Sequence, residues 1–285
     1  MAVKIEKVAG IGFCFGVKRV INILEGAARE CGGVETLGAA VHNQPVLQGL
    51  AKLGVRIVKS VDDIQGNVVA ISSHGVSPQI EQEIRARHIG IINTTCPFVH
   101  RAQVAARRLV EAGFFTIIYG DAAHPEVRGV LGWAAGQGVA VVDEGFIDKF
   151  DRPPRRLGVL SQTTQVPSYF AEFVKKLMDS ILAKDSELRI IDTICHDTRQ
   201  RQAATIELAN RVDLMLVIGG HTSANTHHLV ELCSLVAKTY LVETAEEIRP
   251  SWMQGQHHIG ITAGASTDER TIEEVLAKVR SLTQI

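Results

Sequence analysis

The sequence holds no long apolar run, no excess of either charge and few aromatic rings, and each absence removes a class of function. Aromatic residues make up 5% of the 285, too few for the stacking platforms of single-strand nucleic-acid binders. Lys and Arg number 30 against 31 Asp and Glu, a net charge of −1 with no basic block. Neither a nucleic-acid partner nor an anionic membrane surface is expected from that balance. The longest stretch free of Asp, Glu, Lys and Arg, Pro250 to Thr267, carries a Pro, two His, two Gln and several hydroxyls, so it is too polar to span a bilayer. The opening segment MAVKIEKVAG has no apolar core and no A-x-A site, and no signal peptide is expected. Five cysteines without CxxC then read as thiols of a reducing, cytoplasmic compartment, placed for metal or catalysis rather than disulfides. P-loop, GxSxG and HExxH patterns are also missing.

What is present is a core and a rhythm. Apolar residues are 46% of the chain, enough for packed domains. Short β-branched runs alternate with amphipathic stretches, predicting strands at 3–9, 34–38, 55–58, 67–72, 89–93, 115–119, 139–142, 157–160, 188–192, 213–218, 238–242 and 257–262. Helices are predicted at 16–31, 45–53, 78–87, 98–112, 126–135, 168–183, 198–211, 226–236 and 269–282. Near-continuous apolar strands alternating with helices mean parallel α/β sheets covered on both faces. Ser77-Pro78 reads as an N-cap with Pro at N1, Thr244-x-x-Glu247 as a capping box, and Arg152-Pro153-Pro154-Arg155 as a turn or linker.

An internal repeat organises these elements. IINTTC (91–96) and IIDTIC (190–195) are nearly one hexapeptide, each a strand running into a Cys with Gln seven residues later, and the strand at 3–9 also runs into Cys14. Cys14, Cys96 and Cys195 are separated by 82 and 99 residues; loop positions His42, His124 and Ser223 are separated by the same intervals, each 28 residues after its Cys. VKSVDDI, VVDEGFI and VETAEEI form a third marker, and AISSHG, GVLSQTT and GITAGAS a fourth. The expected architecture is three similar parallel-sheet α/β domains, at 1–97, 98–196 and 197–285, around a pseudo-threefold axis. The first strand is free to pair outside its own unit. Strand C-terminal loops form the ligand crevice of open α/β sheets, so Cys14, Cys96 and Cys195 are expected to converge there. Cys31 and Cys233 have no repeat partners and read as structural.

Three thiolates without a fourth leave a metal site open. A cubane iron–sulfur cluster with one free iron position fits; a zinc hydrolase with water as fourth ligand, or three merely packed cysteines, are the alternatives. The loop residues His42, His74, His124, Thr163, Ser223, Asn225 and Ser266 offer imidazole, hydroxyl and amide donors suited to an anion such as phosphate. Glu126 opens a helix after His124-Pro125 and is the best-placed carboxylate to deliver a proton. Gly10-x-Gly12-x-x-x-Gly16 approaches a dinucleotide fingerprint, but its third Gly comes one residue late and Phe13-Cys14-Phe15 fills the turn.

GFCFGVKRVI (12–21), VHNQPV (41–46), SSHGVSP (72–78), NTTCPFV (93–99), HPEVRGVLGW (124–133), SQTT (161–164), DTICHDTRQRQ (192–202), TSANT (222–226) and TAGAS (262–266) together resemble the 4-hydroxy-3-methylbut-2-enyl diphosphate reductases of the non-mevalonate isoprenoid pathway. The resemblance implies three α/β domains around a 4Fe–4S cluster held by Cys14, Cys96 and Cys195, with the fourth iron binding the substrate hydroxyl. It implies an allylic diphosphate held by His42, His74, His124, Ser223, Ala224, Asn225 and Ser266, an acid at Glu126 with Thr163 beside it, and isopentenyl and dimethylallyl diphosphate as products. A ferredoxin- or flavodoxin-type electron donor is expected, since no flavin or nicotinamide site is visible, and a monomer is the expected state. Two positions depart from the family pattern. Ala224 replaces a hydroxyl residue in the Ser223 loop, and Asp268 stands where Pro is usual, so its carboxylate is expected to face away from the substrate.

Overall fold

The computed structural model describes residues 3–143, 145–146, 154–181 and 186–283. Arg152 and Pro153 of the expected linker, Glu144 and Ile147 of the third repeat marker, and the last two residues of the helix expected at 168–183 lie outside the described residues. The chain divides into two compact units.

The first unit comprises Met1–Lys18, Val41–Lys52 and His196–Ile285. Its sheet runs β1 (Lys4–Lys7), β12 (His258–Ala263), β10 (Leu214–Ile218), β11 (Lys238–Val242), all parallel. Strand β1 is therefore the edge partner of a strand some 250 residues later, with Lys4 opposite His258. Alternate residues of β10 face opposite ways, as the strand period demands. Leu214, Leu216 and Ile218 pack with Ile272, Val275, Leu276 and Val279 of α9 (Glu269–Thr283). Met215 and Val217 pack with Leu208 and Ala209 of α7 (His196–Ala209) and Leu229 and Cys233 of α8 (Ala224–Ser234). Helix α2 (Gln44–Lys52) completes this unit.

The second unit comprises Arg19–Ala40 and Leu53–Cys195 and contains two sheets of the same design. One runs β3 (Val55–Val58), β2 (Val34–Leu37), β4 (Val68–Ile71), β5 (Gly90–Asn93); the other runs β7 (Gly138–Val141), β6 (Phe115–Tyr119), β8 (Arg156–Ser161), β9 (Glu187–Ile191). Every pairing is again parallel. In the latter sheet α4 (Pro97–Glu111) and α5 (Pro125–Trp133) cover one face, and α6 (Pro167–Ile181) covers the other through Phe170, Phe173, Val174 and Leu177. Helix α1 (Phe15–Cys31) starts in the first unit and continues into the second. Among the described residues no helix is long and apolar enough to cross a membrane.

Helix α5 bears directly on the site. Gly129 and Gly132, one turn apart, let it lie against the loop after β4. A Cβ on Gly132 would fall 2.1 Å from Ser77 Cβ, and one on Gly129 would fall 3.4 Å from Gly75 O. Trp133 Nε1 donates to Val76 O at 3.0 Å from the same helix. Ser77 caps α3 (Pro78–Ala86), its Oγ accepting from Ile80 N.

Two expectations are corrected. Thr244 opens only a single 3-10 turn, Ala245–Glu247, and its side chain makes no cap hydrogen bond. Glu247 instead accepts from the Glu243 N–H (3.3 Å) and lies 3.0 Å from His221 Nε2, while its own N–H goes to the Thr244 backbone carbonyl at 3.3 Å. Cys31 is the last residue of α1 and is exposed, so it is not a core residue; Cys233 is, with its thiol pushed up to about 12 by burial.

Candidate functional site

Each sheet presents the same three loops at the C-terminal ends of its strands. In every sheet the cysteine-bearing strand is an edge strand: β1, β5 and β9 lead to Cys14, Cys96 and Cys195, and their inner neighbours are β12, β4 and β8. The loop after that neighbour takes the cysteine's backbone N–H. Cys14 N donates to Ala265 O, Cys96 N to Ser73 O and Cys195 N to Thr163 O, all at 3.0 Å. A helix starts just after each cysteine, so all three thiols sit at helix N-termini, where N–H dipoles favour a thiolate. Cys14 Sγ accepts from Val17 N at 3.4 Å, and Cys96 is the N-cap of α4.

The turns before the cysteines are built alike where the hexapeptide repeats. Asn93 Oδ1 accepts from Thr95 N at 3.0 Å and Asp192 Oδ1 from Ile194 N at 3.1 Å, the Asx turn that these side chains favour. Thr94 Oγ1 donates to Ile71 O, and Thr193 Oγ1 donates to Ser161 O while accepting from Ser161 N. At the matching place before Cys14 stands Gly12, whose φ of +112° lies in the region that favours glycine.

In the second unit the acid, an imidazole pair and two thiols come together. Glu126 is 2% exposed. Its Oε1 accepts from Thr163 N at 2.7 Å and its Oε2 from Thr163 Oγ1 at 2.8 Å. Burial pushes its carboxyl above the usual carboxylate range, with the two Thr163 donors pulling the other way. His124 caps α5, Nδ1 accepting from Glu126 N at 3.2 Å. The neutral ring then carries its proton on Nε2, the donor end. The His74 and His124 rings meet edge-to-face, 5.5 Å between centroids. The Cys96 thiol is pushed up chiefly by burial, opposed by the Phe98 and Val99 N–H groups, with further upward pushes from Cys195 and Glu126.

In the first unit the remaining donors line one set of loops. Ser266 Oγ donates to His42 O at 3.2 Å, and a Cβ on Gly220 would fall 2.3 Å from that carbonyl. The His42 loop therefore lies directly against the loops after β10 and β12. Burial pushes the His42 imidazole down, towards its neutral form. Ser223 caps α8, its Oγ accepting from Thr226 N at 3.3 Å. Ala224 is the first residue of that helix and Asn225 the next. Asn225 is 5% exposed, yet neither end of its amide has a hydrogen-bond partner. Asp268 Oδ1 accepts from Thr271 N at 2.6 Å, so its carboxylate turns back onto the first turn of α9.

Sequence reasoning missed Arg19 and Arg201, although both lie inside the quoted motifs. Arg19 donates to the carbonyls of Asn93, Thr94 and Thr95, and Arg201 to those of Gly12 and Ala263. It also missed Asn43, 2% exposed, whose Oδ1 accepts from Val46 N while Nδ2 is buried without a partner.

Taken together, the fold and these loops define an α/β protein with three like sheets. Thiols, imidazoles, hydroxyls and one buried acid stand where such sheets act on ligands. The sequence profile of the family described as LytB protein matches residues 5–280, and the chain belongs to that family. A protein of Dehalococcoides mccartyi (strain CBDB1) named 4-hydroxy-3-methylbut-2-enyl diphosphate reductase is 59% identical over 98% of this chain and 99% of its own length. A protein of the same name from Geotalea uraniireducens (strain Rf4) is 40% identical over 96% and 95%. Among solved structures, the E-1-hydroxy-2-methyl-but-2-enyl-4-diphosphate reductase of Plasmodium falciparum superposes with a TM-score of 0.92 at 25% identity, over 97% of this chain and 88% of that one. A structure described as (E)-4-hydroxy-3-methyl-but-2-enyl diphosphate reductase, the terminal enzyme of the non-mevalonate pathway, gives 0.69 at 35% identity, over 98% and 99%.

Proposed function

We propose that this chain is a reductase of 4-hydroxy-3-methylbut-2-enyl diphosphate, yielding isopentenyl and dimethylallyl diphosphate. Two electrons and two protons enter, the allylic C–O bond breaks, and the hydroxyl leaves as water. Cys14, Cys96 and Cys195 are the ligands of a 4Fe–4S cluster. The donor set fits: three soft thiols, alike in their N–H anchoring and placed at helix N-termini, with two of them close enough to perturb each other. When bound, the cluster supplies the electrons and an iron with a free position that acts as a Lewis acid towards the substrate oxygen.

The protein's own residues do the rest. Glu126, whose carboxyl burial pushes above the usual range, is the proton source, and the Thr163 N–H and hydroxyl meet its two oxygens. His42, His74, His124, Ser223, Asn225 and Ser266 hold the diphosphate, with Ala224 beside them on the same helix turn. Their imidazole, hydroxyl and amide donors give orientation and remote binding energy. The single observation that carries the reading is the shared anchor: Thr163 binds Glu126 through its N–H and hydroxyl and takes the Cys195 N–H on its carbonyl. The zinc hydrolase alternative has no support among relatives named as reductases. The electron donor is a small ferredoxin or flavodoxin, and the enzyme works as a monomer in the cytoplasm.

The test is iron and acid-labile sulfide on protein purified without oxygen, followed by turnover of the diphosphate. About four of each per chain are expected, the content of a cubane cluster. Cys96→Ser is expected to lose the iron and Cys31→Ser to keep it. Stoichiometric zinc without sulfide overturns the reading.

A further inference from the structure

Arg19 lies on α1, five residues after Cys14. Its Nη1 donates to Thr94 O at 3.1 Å and Thr95 O at 3.2 Å, and its Nη2 to Asn93 O at 3.4 Å, the three carbonyls just before Cys96. Arg201 lies on α7, six residues after Cys195. Its Nη2 donates to Gly12 O at 2.8 Å, two residues before Cys14, and its Nη1 to Ala263 O at 3.0 Å. Ala263 ends β12, two residues before the carbonyl that takes the Cys14 N–H. Both contacts of Arg201 thus converge on the two segments that frame one cysteine turn.

The two arginines do not carry equal weight. Two residues before Cys96 and Cys195 stand Thr94 and Thr193, and both hydroxyls tie their turns to the neighbouring strand. Before Cys14 the same place is Gly12, which has no side chain to do this. Arg201 supplies from outside what threonine supplies from within. Its side chain is only 5% exposed, the Asp197 carboxylate lies 3.5 Å away, and Nε is buried without a partner. A guanidinium held that deep is costly unless it is hydrogen-bonded and paired, and here the two carbonyls and Asp197 meet it.

We infer that Arg201 is the positioning residue of the Cys14 turn and that Arg19 plays a lesser, parallel part at the Cys96 turn. The helix that begins at one cysteine thus fixes the turn presenting another. This rests on the proposed role of the cysteines as cluster ligands, but its test does not depend on cluster loading.

The experiment is amide hydrogen exchange on the metal-free chain, comparing wild type with Arg201→Met and Arg19→Met. Loss of a charge-assisted hydrogen bond is expected to speed exchange at Cys14 by about tenfold or more in Arg201→Met, with Cys96 and Cys195 unchanged. In Arg19→Met the change is confined to Cys96 and smaller, because Thr94 remains. Arg201→Lys keeps the charge but not the two-pronged fork, so it is expected to exchange faster at Cys14 as well, and it serves if Arg201→Met does not fold. In the loaded protein, chelator is expected to strip iron faster from Arg201→Lys than from wild type. Unchanged exchange at Cys14, or equal acceleration at all three cysteines, overturns the assignment. A wild-type chain that takes up no iron–sulfur cluster overturns the reductase reading instead and leaves the exchange result standing.

Discussion

Glu126 and Cys195 are held by the same residue: Thr163 gives its N–H and hydroxyl to the carboxylate and takes the cysteine N–H on its carbonyl. A buried carboxyl and a cysteine on different elements are thereby tied to one residue.

Replacing the acid tests its chemistry directly. Glu126→Gln keeps the shape and is expected to retain iron and diphosphate binding while kcat falls by about 10²–10⁴-fold, the range for a lost general acid. Unchanged single-turnover rates would remove Glu126 from that role.

The same residue gives a pH signature. Burial raises its folded-state pKa above the unfolded one. The stabilisation that a neutral Glu126 brings is therefore complete below the unfolded value and is lost as pH rises through the folded value. Metal-free wild type is expected to gain melting temperature relative to Glu126→Gln on acidification. Parallel melting curves across that range would contradict the raised value.

Thr163→Val removes the hydroxyl donor and leaves the N–H. A hydrogen bond to the neutral acid is worth about 0.5–1.5 kcal/mol, so turnover is expected to fall by roughly two- to tenfold. The pH at which kcat declines should move up, because a donor that lowers the Glu126 pKa is gone. Thr163→Ser keeps the donor and is expected to restore both; a kcat–pH profile for the three proteins decides.

The glycine face of α5 is tested by volume. Gly132→Ala places a methyl on Ser77 and is expected to destabilise by about 1–3 kcal/mol, the usual cost of overpacking. Gly26→Ala, on α1 with nothing within 4 Å, is expected to stabilise by about 0.5–1 kcal/mol. Thermal melts of both variants are the measurement.

Asn225 has a buried amide with neither end paired, so it adds little to the stability of the chain alone. Asn225→Ala is expected to leave the melting temperature within a few degrees while weakening inorganic pyrophosphate binding by about tenfold or more, read by calorimetry. Equal affinity in the variant would remove it from the diphosphate site.

Much of this was legible in advance. The described strands and helices fall within two residues of the periodic runs, because parallel strands covered on both faces read as unbroken apolar segments. Cys96 and Cys195 were visible as partners because Asn93-Thr94 and Asp192-Thr193 build the same turn before them. Thr244 misled because its pattern matches a helix start, yet the segment supports only one 3-10 turn. Arg19 and Arg201 were illegible because their partners are backbone carbonyls far along the chain, and a carbonyl has no letter in the sequence. Asn225 was visible as a loop amide; that it is buried and unpaired was not.

The pairing of β1 with β12 also sets an order of events. The turns of Cys96 and Cys195 rest on Ser73 and Thr163, which precede them in synthesis. Cys14 rests on Ala265, made some 250 residues later. On a ribosome the first cysteine to emerge is therefore the last to be set in place, and its sheet has the longest loop to close before it forms. The Cys96 and Cys195 turns have their partners as soon as they are made, while the Cys14 turn waits for nearly the whole chain.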